Sequence, residues 1–194
     1  MTSEERKQLR KSKIQARDQL APKQREIYSR QIVEHILGSK AFQEAQTIMI
    51  YRAVKEEVRL DTLEETAIEL GKRLVYPLCI SNHEMIALQP RKDLTNSQSA
   101  WKSGYFGIPE PMREFSIEIA PEEIDLVICP CTVFDEAGGR MGMGAGFYDR
   151  YLKRCMNAHV AAAAFEVQKT DKVPMEVWDR KMDLIFTESQ VYIC

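Results

Sequence analysis

A cluster of glycines in the C-terminal half constrains this chain more than any other feature. Five of the nine glycines in the 194 residues lie between Gly138 and Gly146. Glycine has no Cβ, so it adopts positive φ angles easily and lets backbone N–H groups approach a ligand closely. We therefore predict that Gly142, Gly144 and Gly146 form a loop that wraps around a bound group, and that this group is a phosphate.

A helical pattern follows the glycines directly. Apolar residues recur at helical spacing from Phe147 to Met156, with basic residues between them. This pattern predicts an amphipathic helix that begins where the loop ends. The free N–H groups and the positive dipole end of such a helix would face the loop and favour an anion there.

The glycine spacing differs from that of two commoner phosphate-binding loops. A Walker A loop requires Gly-x4-Gly-Lys-Ser/Thr, but Gly144 is followed by Ala145 and Gly146. The dinucleotide fingerprint Gly-x-Gly-x-x-Gly is also missing from the sequence. A remaining alternative is that the glycines only turn the tip of a hairpin. Arg140 and Asp149, a cation and an acid on either side of the loop, favour the ligand-binding interpretation.

Length, charge and cysteine content limit the class of protein. A chain of 194 residues with 44% hydrophobic content can bury one core, so we expect a single domain over 1–194. The net charge of −2 argues against nucleic-acid or membrane binding, and no apolar run reaches membrane-spanning length. The five cysteines are odd in number and contain no Cys-x-x-Cys pair, which favours reduced thiols. We expect a cytoplasmic monomer without nucleic-acid or membrane partners.

The first twenty residues carry a row of cations. Thr2 and Glu5 match a capping box, and neither Pro nor Gly interrupts the chain before Leu20, so a helix is predicted. Helical spacing places four cations along one face of it: Arg6, Arg10, Lys13 and Arg17. That face is either simply solvated or closes over a polyanion, and the periodicity fits both interpretations.

Strand-like and helix-like segments alternate through the rest of the chain. Helices are predicted at 22–38 and 61–70, and strands at 47–51, 73–77, 85–88, 124–128, 160–165 and 184–186. The alternation predicts an α/β fold, with an open, largely parallel sheet and helices on both faces. The segment 90–121 contains four prolines and is predicted to be too irregular for a core element, as either a functional or a disordered loop.

In such folds ligands bind at the carboxyl ends of the strands. Three loops in these positions carry charged residues: 52–57, the glycine loop, and 173–183. We therefore look for the chemistry of the protein in these three loops.

Five motifs occur in a fixed order along nearly the full length of the chain. They are Arg6-Lys-Gln-Leu-Arg10, Glu57 ahead of Asp61-Thr62, Gly107-Ile-Pro-Glu-Pro111, Arg140-Met-Gly-Met-Gly-Ala-Gly-Phe-Tyr-Asp-Arg150, and Val173-Pro with Asp179 and Asp183. Together they resemble the 5-formyltetrahydrofolate cyclo-ligase family, also called 5,10-methenyltetrahydrofolate synthetases. The resemblance implies a three-layer α/β fold like that of ribose-phosphate isomerases and CoA-transferases.

The resemblance also implies a reaction. The substrate would be 5-formyltetrahydrofolate, with or without a polyglutamate tail, and the co-substrate would be ATP. The formyl oxygen would take the γ-phosphoryl group, N10 would attack the activated carbon, and 5,10-methenyltetrahydrofolate, ADP and phosphate would leave. Such a site acts through positioning and electrostatics, which suits Arg140 and the loop amides. Mg²⁺ typically takes one or two carboxylates with phosphate and water, and the family match assigns Asp149 and Asp179 to it.

The same resemblance implies roles for individual residues. Arg140 and Asp149 are implied to be catalytic. The implied ATP-binding residues are Arg6, Lys7, Arg10, Arg140, Gly142, Gly144, Gly146 and Tyr148. The implied folate-binding residues are Arg10, Arg52, Glu57, Phe106, Gly144, Ala145, Gly146, Phe147 and Tyr148.

The sequence departs from the family pattern at three of these positions. Arg6 stands where lysine is usual and keeps the charge, although its planar guanidinium need not bind phosphate as a lysine does. Phe147 replaces the first tyrosine of the usual Tyr-Tyr-Asp and lacks its hydroxyl. Arg52 stands where an apolar residue is common. Two alternatives stay open: a sugar-phosphate isomerase-like enzyme on the same fold, and a non-catalytic protein that binds 5-formyltetrahydrofolate.

Overall fold

The computed structural model describes residues 2–91, 100–104 and 107–194. The helices are α1 (Ser3–Asp18), α2 (Pro22–Gly38), α3 (Lys40–Glu44), α4 (Asp61–Glu69) and α5 (Phe147–Tyr151). The strands are β1 (Thr47–Met49), β2 (Arg73–Cys79), β3 (Met85–Pro90), β4 (Trp101–Ser103), β5 (Pro109–Pro111), β6 (Ser116–Ile119), β7 (Leu126–Pro130), β8 (Val133–Phe134), β9 (Arg140–Met141), β10 (His159–Ala163), β11 (Leu184–Phe186) and β12 (Val191–Ile193).

An eight-stranded sheet forms the centre of the fold. Its order is β12-β11-β10-β7-β1-β2-β3-β6. The five strands from β11 to β2 are parallel to one another, and β12, β3 and β6 are added antiparallel at the two edges. The prediction of an open, largely parallel α/β sheet is therefore confirmed.

Hydrophobic side chains cover both faces of this sheet. Leu126 and Ile128 of β7 belong to a cluster with residues of α2, α3 and α4, whereas Val127 belongs to a second cluster with Tyr151 and Leu152. Successive residues of a strand point to opposite faces, so β7 is buried on both sides. This double burial explains why its sequence is continuously apolar.

The direction in which the chain crosses the sheet reverses between β1 and β7. β2 follows β1 on one side, whereas β7, β10 and β11 follow one another on the other side. In an open α/β sheet, the carboxyl ends of the two strands at such a reversal border the crevice where ligands bind. The loops after β1 and β7 lie here, and they carry most of the site residues expected from the sequence.

The predicted N-terminal helices are confirmed. The Thr2 hydroxyl accepts a hydrogen bond from the Glu5 N–H (3.2 Å), and the Glu5 carboxylate accepts one from the Thr2 N–H (2.6 Å), which completes the capping box of α1. α2 begins at Pro22 and ends at Gly38, as predicted. None of the helices within the described ranges is both long enough and apolar enough to cross a membrane.

Two predictions about elements were wrong. The segment 90–121 is not irregular throughout, because β6 pairs with β3 at the sheet edge and β4 pairs with β5 in a hairpin. The helix predicted for 147–156 ends at Tyr151, and Met156 is 78% exposed. Leu152 and Cys155 are nevertheless buried, so their helical spacing reflects two tight turns that pack against the core.

Candidate active site

The glycine cluster divides into a hairpin tip and a separate loop. β8 and β9 pair antiparallel, and Gly138 and Gly139 lie in the turn between them. The buried Asp135 carboxylate accepts hydrogen bonds from the N–H groups of Gly139 (2.8 Å) and Val173 (2.6 Å). A Cβ on Gly139 would lie 2.6 Å from this carboxylate, so no larger residue fits. The hairpin interpretation is therefore correct for these two glycines.

The other three glycines form a loop between β9 and α5. Gly144 has a φ of 107° and Gly146 a φ of 70°, in the region that residues with a side chain rarely adopt. Arg10 of α1 donates from Nε to the carbonyl of Gly142 (3.0 Å). The loop is thus bound to the first helix, and its conformation requires glycine at 144 and 146.

An ion pair connects the two sides of this loop. The Arg140 side chain is only 2% exposed, and its Nη2 donates to Oδ1 of Asp149 (2.7 Å). The Arg140 guanidinium also lies 5.9 Å from the centroid of the Tyr148 ring, and its Nε has no hydrogen-bond partner in the described ranges. A buried donor without a partner costs about 1–3 kcal/mol, which an oxygen of a bound ligand would recover.

The first half of α1 contacts the segment that contains Asp179. Arg6 donates to the carbonyl of Pro174 (2.5 Å) and lies 3.1 Å from the Glu176 carboxylate and 3.7 Å from that of Asp179. Oδ2 of Asp179 also accepts from the Glu176 N–H (2.8 Å). The 173–183 loop is therefore oriented against α1 through Arg6.

Charges from three parts of the chain converge around Arg10. Burial lowers the pKa of Arg10, the positive charge of Arg6 lowers it further, and the carboxylates of Asp179 and Asp149 act in the opposite direction. Lys7 is exposed on the same helix. The structure thus brings Arg6, Arg10 and both expected metal ligands to one region, beside the glycine loop.

The second half of α1 is anchored elsewhere. Lys13 donates from Nζ to the carbonyl of Val167 (3.3 Å), and Arg17 is only 3% exposed. The interpretation of the cationic face as merely solvated is wrong for Arg6, Arg10, Lys13 and Arg17, because each of them contacts another part of the chain or is buried.

A group of polar side chains lies at the end of β1. Glu57 accepts a hydrogen bond from the Val54 N–H (3.0 Å), and burial raises its pKa, with that bond and the charge of Arg17 partly offsetting the rise. Burial also raises the pKa of the Tyr51 and Tyr148 hydroxyls, and the Glu57 carboxylate adds to both shifts. The Tyr148 hydroxyl is buried without a partner among the described residues. The charge of Glu57 therefore acts on Tyr148, and both residues are expected in the folate pocket.

Arg52 has partners of its own. Its Nη2 lies 2.7 Å from the Glu64 carboxylate, and its guanidinium lies 4.4 Å from the ring centroid of Trp101 and 5.3 Å from that of Tyr76. Arg52 also lines a cavity of about 220 Å³ together with Tyr51. The positive charge of Arg52, which departs from the family pattern, is thus neutralised by Glu64 at the wall of this cavity.

The remaining expected residues are more dispersed. Ala145 is exposed in the glycine loop, and Phe147 packs partly buried against the second hydrophobic cluster. Phe106 lies outside the described residues. The position of Phe147 on the core agrees with a packing role that needs no hydroxyl.

The two expected metal ligands suit a magnesium ion held with phosphate. Oδ1 of Asp149 is bonded to Arg140 and Oδ2 of Asp179 to a backbone N–H, which leaves the second oxygen of each carboxylate. No cluster of three or more metal-binding side chains occurs in the described part of the chain. Because Mg²⁺ usually takes one or two carboxylates and completes its shell with phosphate and water, the residues fit that ion.

Two features of the site were missed in the sequence. Tyr51 lies two residues after the last residue of β1, at the carboxyl end of a central strand, and this position could have identified it. Cys129 and Cys131 are buried close to Arg140, and burial raises the pKa of each thiol to about 12. These thiols therefore stay protonated, and neither of them is an activated nucleophile.

The fold and the site define an α/β protein in which arginine side chains gather beside a glycine loop at the reversal point of its sheet. The model of the 5-formyltetrahydrofolate cyclo-ligase family matches residues 2–188. The 5-formyltetrahydrofolate cyclo-ligases of Haemophilus influenzae and Escherichia coli K12 are each 26% identical to this chain over 92% of its length, and over 95% and 97% of theirs. The NMR structure of Aquifex aeolicus 5,10-methenyltetrahydrofolate synthetase superposes with a TM-score of 0.82 at 27% identity, covering 97% of this chain and 92% of that one. The chain belongs to the 5-formyltetrahydrofolate cyclo-ligase family, as the motifs indicated.

Proposed function

We propose that this enzyme converts 5-formyltetrahydrofolate into 5,10-methenyltetrahydrofolate and consumes ATP in doing so. The formyl oxygen attacks the γ-phosphorus and ADP leaves. N10 then attacks the formyl carbon and loses its proton, and the carbon–oxygen bond breaks to release phosphate. Family membership supports the overall conversion. The observation that carries the role of ATP is a set of contacts beside the glycine loop: Arg10 bonds to the carbonyl of Gly142 (3.0 Å), Arg6 lies 3.7 Å from Asp179, and Arg140 lies 2.7 Å from Asp149.

The arginines and the loop bind and orient the triphosphate in this proposal. Arg140, held in place by Asp149, donates its unpartnered Nε to a phosphoryl oxygen, and Arg10 and the N–H groups of 142–146 contact the other phosphates. Fixed donors of this kind stabilise the charge of a phosphoryl group in transfer without reorganising. Asp149 and Asp179 would hold Mg²⁺, which when bound neutralises charge on the phosphate oxygens.

The polar group at the end of β1 binds the folate. Glu57, with its pKa raised by burial, accepts hydrogen bonds from N–H groups of the pterin ring, and the partnerless Tyr148 hydroxyl bonds a second polar atom. Phe147 supplies packing. The proposed folate and ATP sites share Tyr148, whose ring faces Arg140 and whose charge environment includes Glu57. The formyl group of the substrate is therefore expected to lie between the folate site and the ATP site.

One assay tests the reaction. Enzyme, Mg-ATP and 5-formyltetrahydrofolate are mixed, and the absorbance of the methenyl product is followed. Product should form only when ATP and a divalent ion are both present. Product without ATP, or ATP consumption without folate, would contradict the proposal. Tight folate binding without turnover would favour the non-catalytic alternative, and turnover of sugar phosphates would favour the isomerase-like one.

A further inference from the structure

The 173–183 loop contains an exposed turn beside the proposed ATP site. The Asp179 N–H donates to the carbonyl of Glu176 (3.1 Å), and the Glu176 N–H donates to Oδ2 of Asp179 (2.8 Å). These two hydrogen bonds close a four-residue turn and leave Val177 and Trp178 at its tip. The tip therefore consists of two apolar side chains, next to a carboxylate that is proposed to contact Mg²⁺.

The chain that leads into this turn is held in place. Val173 is buried in a cluster with Met141, and Met175 packs partly buried against that cluster. Arg6 of α1 lies 3.1 Å from the Glu176 carboxylate at the start of the turn. These contacts fix the base of the turn, so the tip is presented to solvent from an ordered support.

Trp178 is a large aromatic residue that the described fold does not use. It is 60% exposed, and its side chain makes no hydrogen bond or ring contact within the described ranges. A single exposed apolar residue is common on protein surfaces and needs no function by itself. Trp178 differs in its location, because it directly precedes Asp179 on a turn that Arg6 connects to the cationic helix α1.

We infer that the indole of Trp178 stacks on the purine base of the bound nucleotide and so holds the nucleoside end of ATP. The inference rests on the proposed function, which assigns the triphosphate to Arg10, Arg140 and the glycine loop. A base that is joined to this triphosphate through a ribose lies at the edge of the cationic region, and the 176–179 turn borders that region through Arg6. Stacking on the base would also remove the exposed indole surface from water.

Stacking of this kind adds affinity for a base without choosing between bases. Every nucleic-acid base has a π-face, so an aromatic side chain stacks on adenine and guanine alike. Trp178 should therefore strengthen the binding of ATP and of GTP, and should leave unchanged the binding of a triphosphate that carries no base.

Calorimetric titrations with Mg-ATP, Mg-GTP and Mg-tripolyphosphate measure this contribution in the full-length protein. In Trp178→Ala, the dissociation constants of both nucleotides should rise roughly tenfold, or about 1.4 kcal/mol. The constant for tripolyphosphate should stay within about twofold of wild type, as for a surface substitution away from the ligand. Trp178→Phe keeps an aromatic face and should recover most of the lost affinity.

A spectroscopic measurement detects the contact directly. The chain has two tryptophans, so labelling with 5-fluorotryptophan gives two fluorine NMR signals, and the Trp178→Phe variant identifies the signal of Trp178. This signal should shift when ATP or GTP is added and should stay in place with tripolyphosphate.

Ile117→Ala serves as the matched control. Ile117 is another exposed apolar residue, but it lies on the edge strand β6, so its replacement should change none of these constants. Equal losses for the nucleotides and tripolyphosphate, or an unchanged nucleotide affinity of Trp178→Ala, would overturn the role of Trp178. A Trp178 signal that ATP leaves in place would do the same. Wild-type protein that binds ATP with the expected shift but forms no methenyl product would contradict the proposed reaction alone, since the binding comparison needs no turnover.

Discussion

The Nη2 of Arg140 lies 2.7 Å from Oδ1 of Asp149, and these side chains are 2% and 21% exposed. Arg140 precedes the 142–146 loop and Asp149 follows it, so this ion pair closes the loop at its base. A buried cation is stable only with a compensating charge. The same carboxylate therefore has two tasks, since it holds Arg140 in place and is proposed to contact the metal.

Replacement of Asp149 by asparagine should lower both the stability of the protein and its turnover. Asp149→Asn keeps an acceptor for Arg140 but leaves the buried guanidinium without a counter-charge, so the free energy of unfolding should fall by about 1–3 kcal/mol. Turnover should fall by roughly a hundredfold, equivalent to about 2.7 kcal/mol in the barrier. Urea denaturation and the methenyl absorbance assay measure the two effects. Raising Mg²⁺ should recover part of the rate.

Asp171 offers a matched control for this substitution. It is exposed and has no hydrogen bond or ion pair in the described ranges. Asp171→Asn should therefore change neither the free energy of unfolding nor the turnover. Normal turnover of Asp149→Asn at limiting Mg²⁺ would rule out the metal role. A loss of stability without a loss of rate would leave Asp149 with the structural task only.

The half-buried Glu57 side chain should make stability depend on pH. Burial raises its pKa in the folded protein above the unfolded value of about 4.3, so its ionised form disfavours folding at neutral pH. Glu57→Gln should therefore raise the Tm at pH 7. Below the unfolded pKa both states are protonated, so the gain should vanish as the pH falls towards about 4.

Melting curves of wild type and Glu57→Gln between pH 4 and 8 measure this difference. If attraction to the buried Arg17 dominates instead, the variant will be the less stable protein at pH 7. The variant should also bind 5-formyltetrahydrofolate more weakly, because the proposed acceptor for the pterin N–H groups loses its charge. A gain in stability combined with weaker binding is the pattern expected of a functional group kept in an unfavourable environment.

Local patterns in the sequence predicted the local structure well. The capping box of Thr2 and Glu5 depends on residues three apart, and α1 begins there. The run Leu184–Phe186 is apolar and short, and it forms β11 as predicted. The alternation of such segments was sufficient to predict a largely parallel sheet. The positions of the candidate loops followed from the general rule that ligands bind at the carboxyl ends of parallel strands.

Features that depend on distant packing could not be predicted in this way. The helical spacing of 147–156 is satisfied equally by a five-residue helix and buried turns, because both place Leu152 and Cys155 against the core. Spacing likewise left open whether the cations of α1 were solvated, and only the contacts of Arg6 and Arg10 with residues more than a hundred positions away decide it. The proximity of Glu57 to Tyr148 is of the same kind.

Arg52 should contribute to stability through Glu64. Burial raises the pKa of Glu64, and the charge of Arg52 lowers it. The Glu64 side chain is 13% exposed, so Arg52→Leu leaves a largely buried carboxylate without its cation. We expect a loss of about 1–2 kcal/mol at pH 7, measured by urea denaturation and followed by tryptophan fluorescence. The loss should shrink at lower pH, where Glu64 becomes protonated.

A double-mutant cycle isolates this interaction. Glu64→Gln in the Arg52→Leu background should recover at least half of the lost stability, because it removes the uncompensated charge. Additive losses in the cycle would show that the stacking of Arg52 on Trp101, rather than its ion pair, supplies the stability.

The first ten residues should be dispensable for folding but required for ATP binding. Leu9 packs only partly buried against Val133 and Met141, whereas the buried Arg17 remains to anchor the rest of α1 after residues 1–10 are removed. The truncated chain should melt cooperatively and bind Mg-ATP at least tenfold more weakly, a loss of about 1.4 kcal/mol, as measured by calorimetric titration. Full-length protein carrying both Arg6→Gln and Arg10→Gln serves as the matched variant, because it removes the two charges and keeps the packing of Leu9. Equal losses of affinity in the two proteins would assign the effect to the guanidinium groups. An unfolded truncated chain would make α1 a structural element, and unchanged affinity in both would exclude this helix from the ATP site.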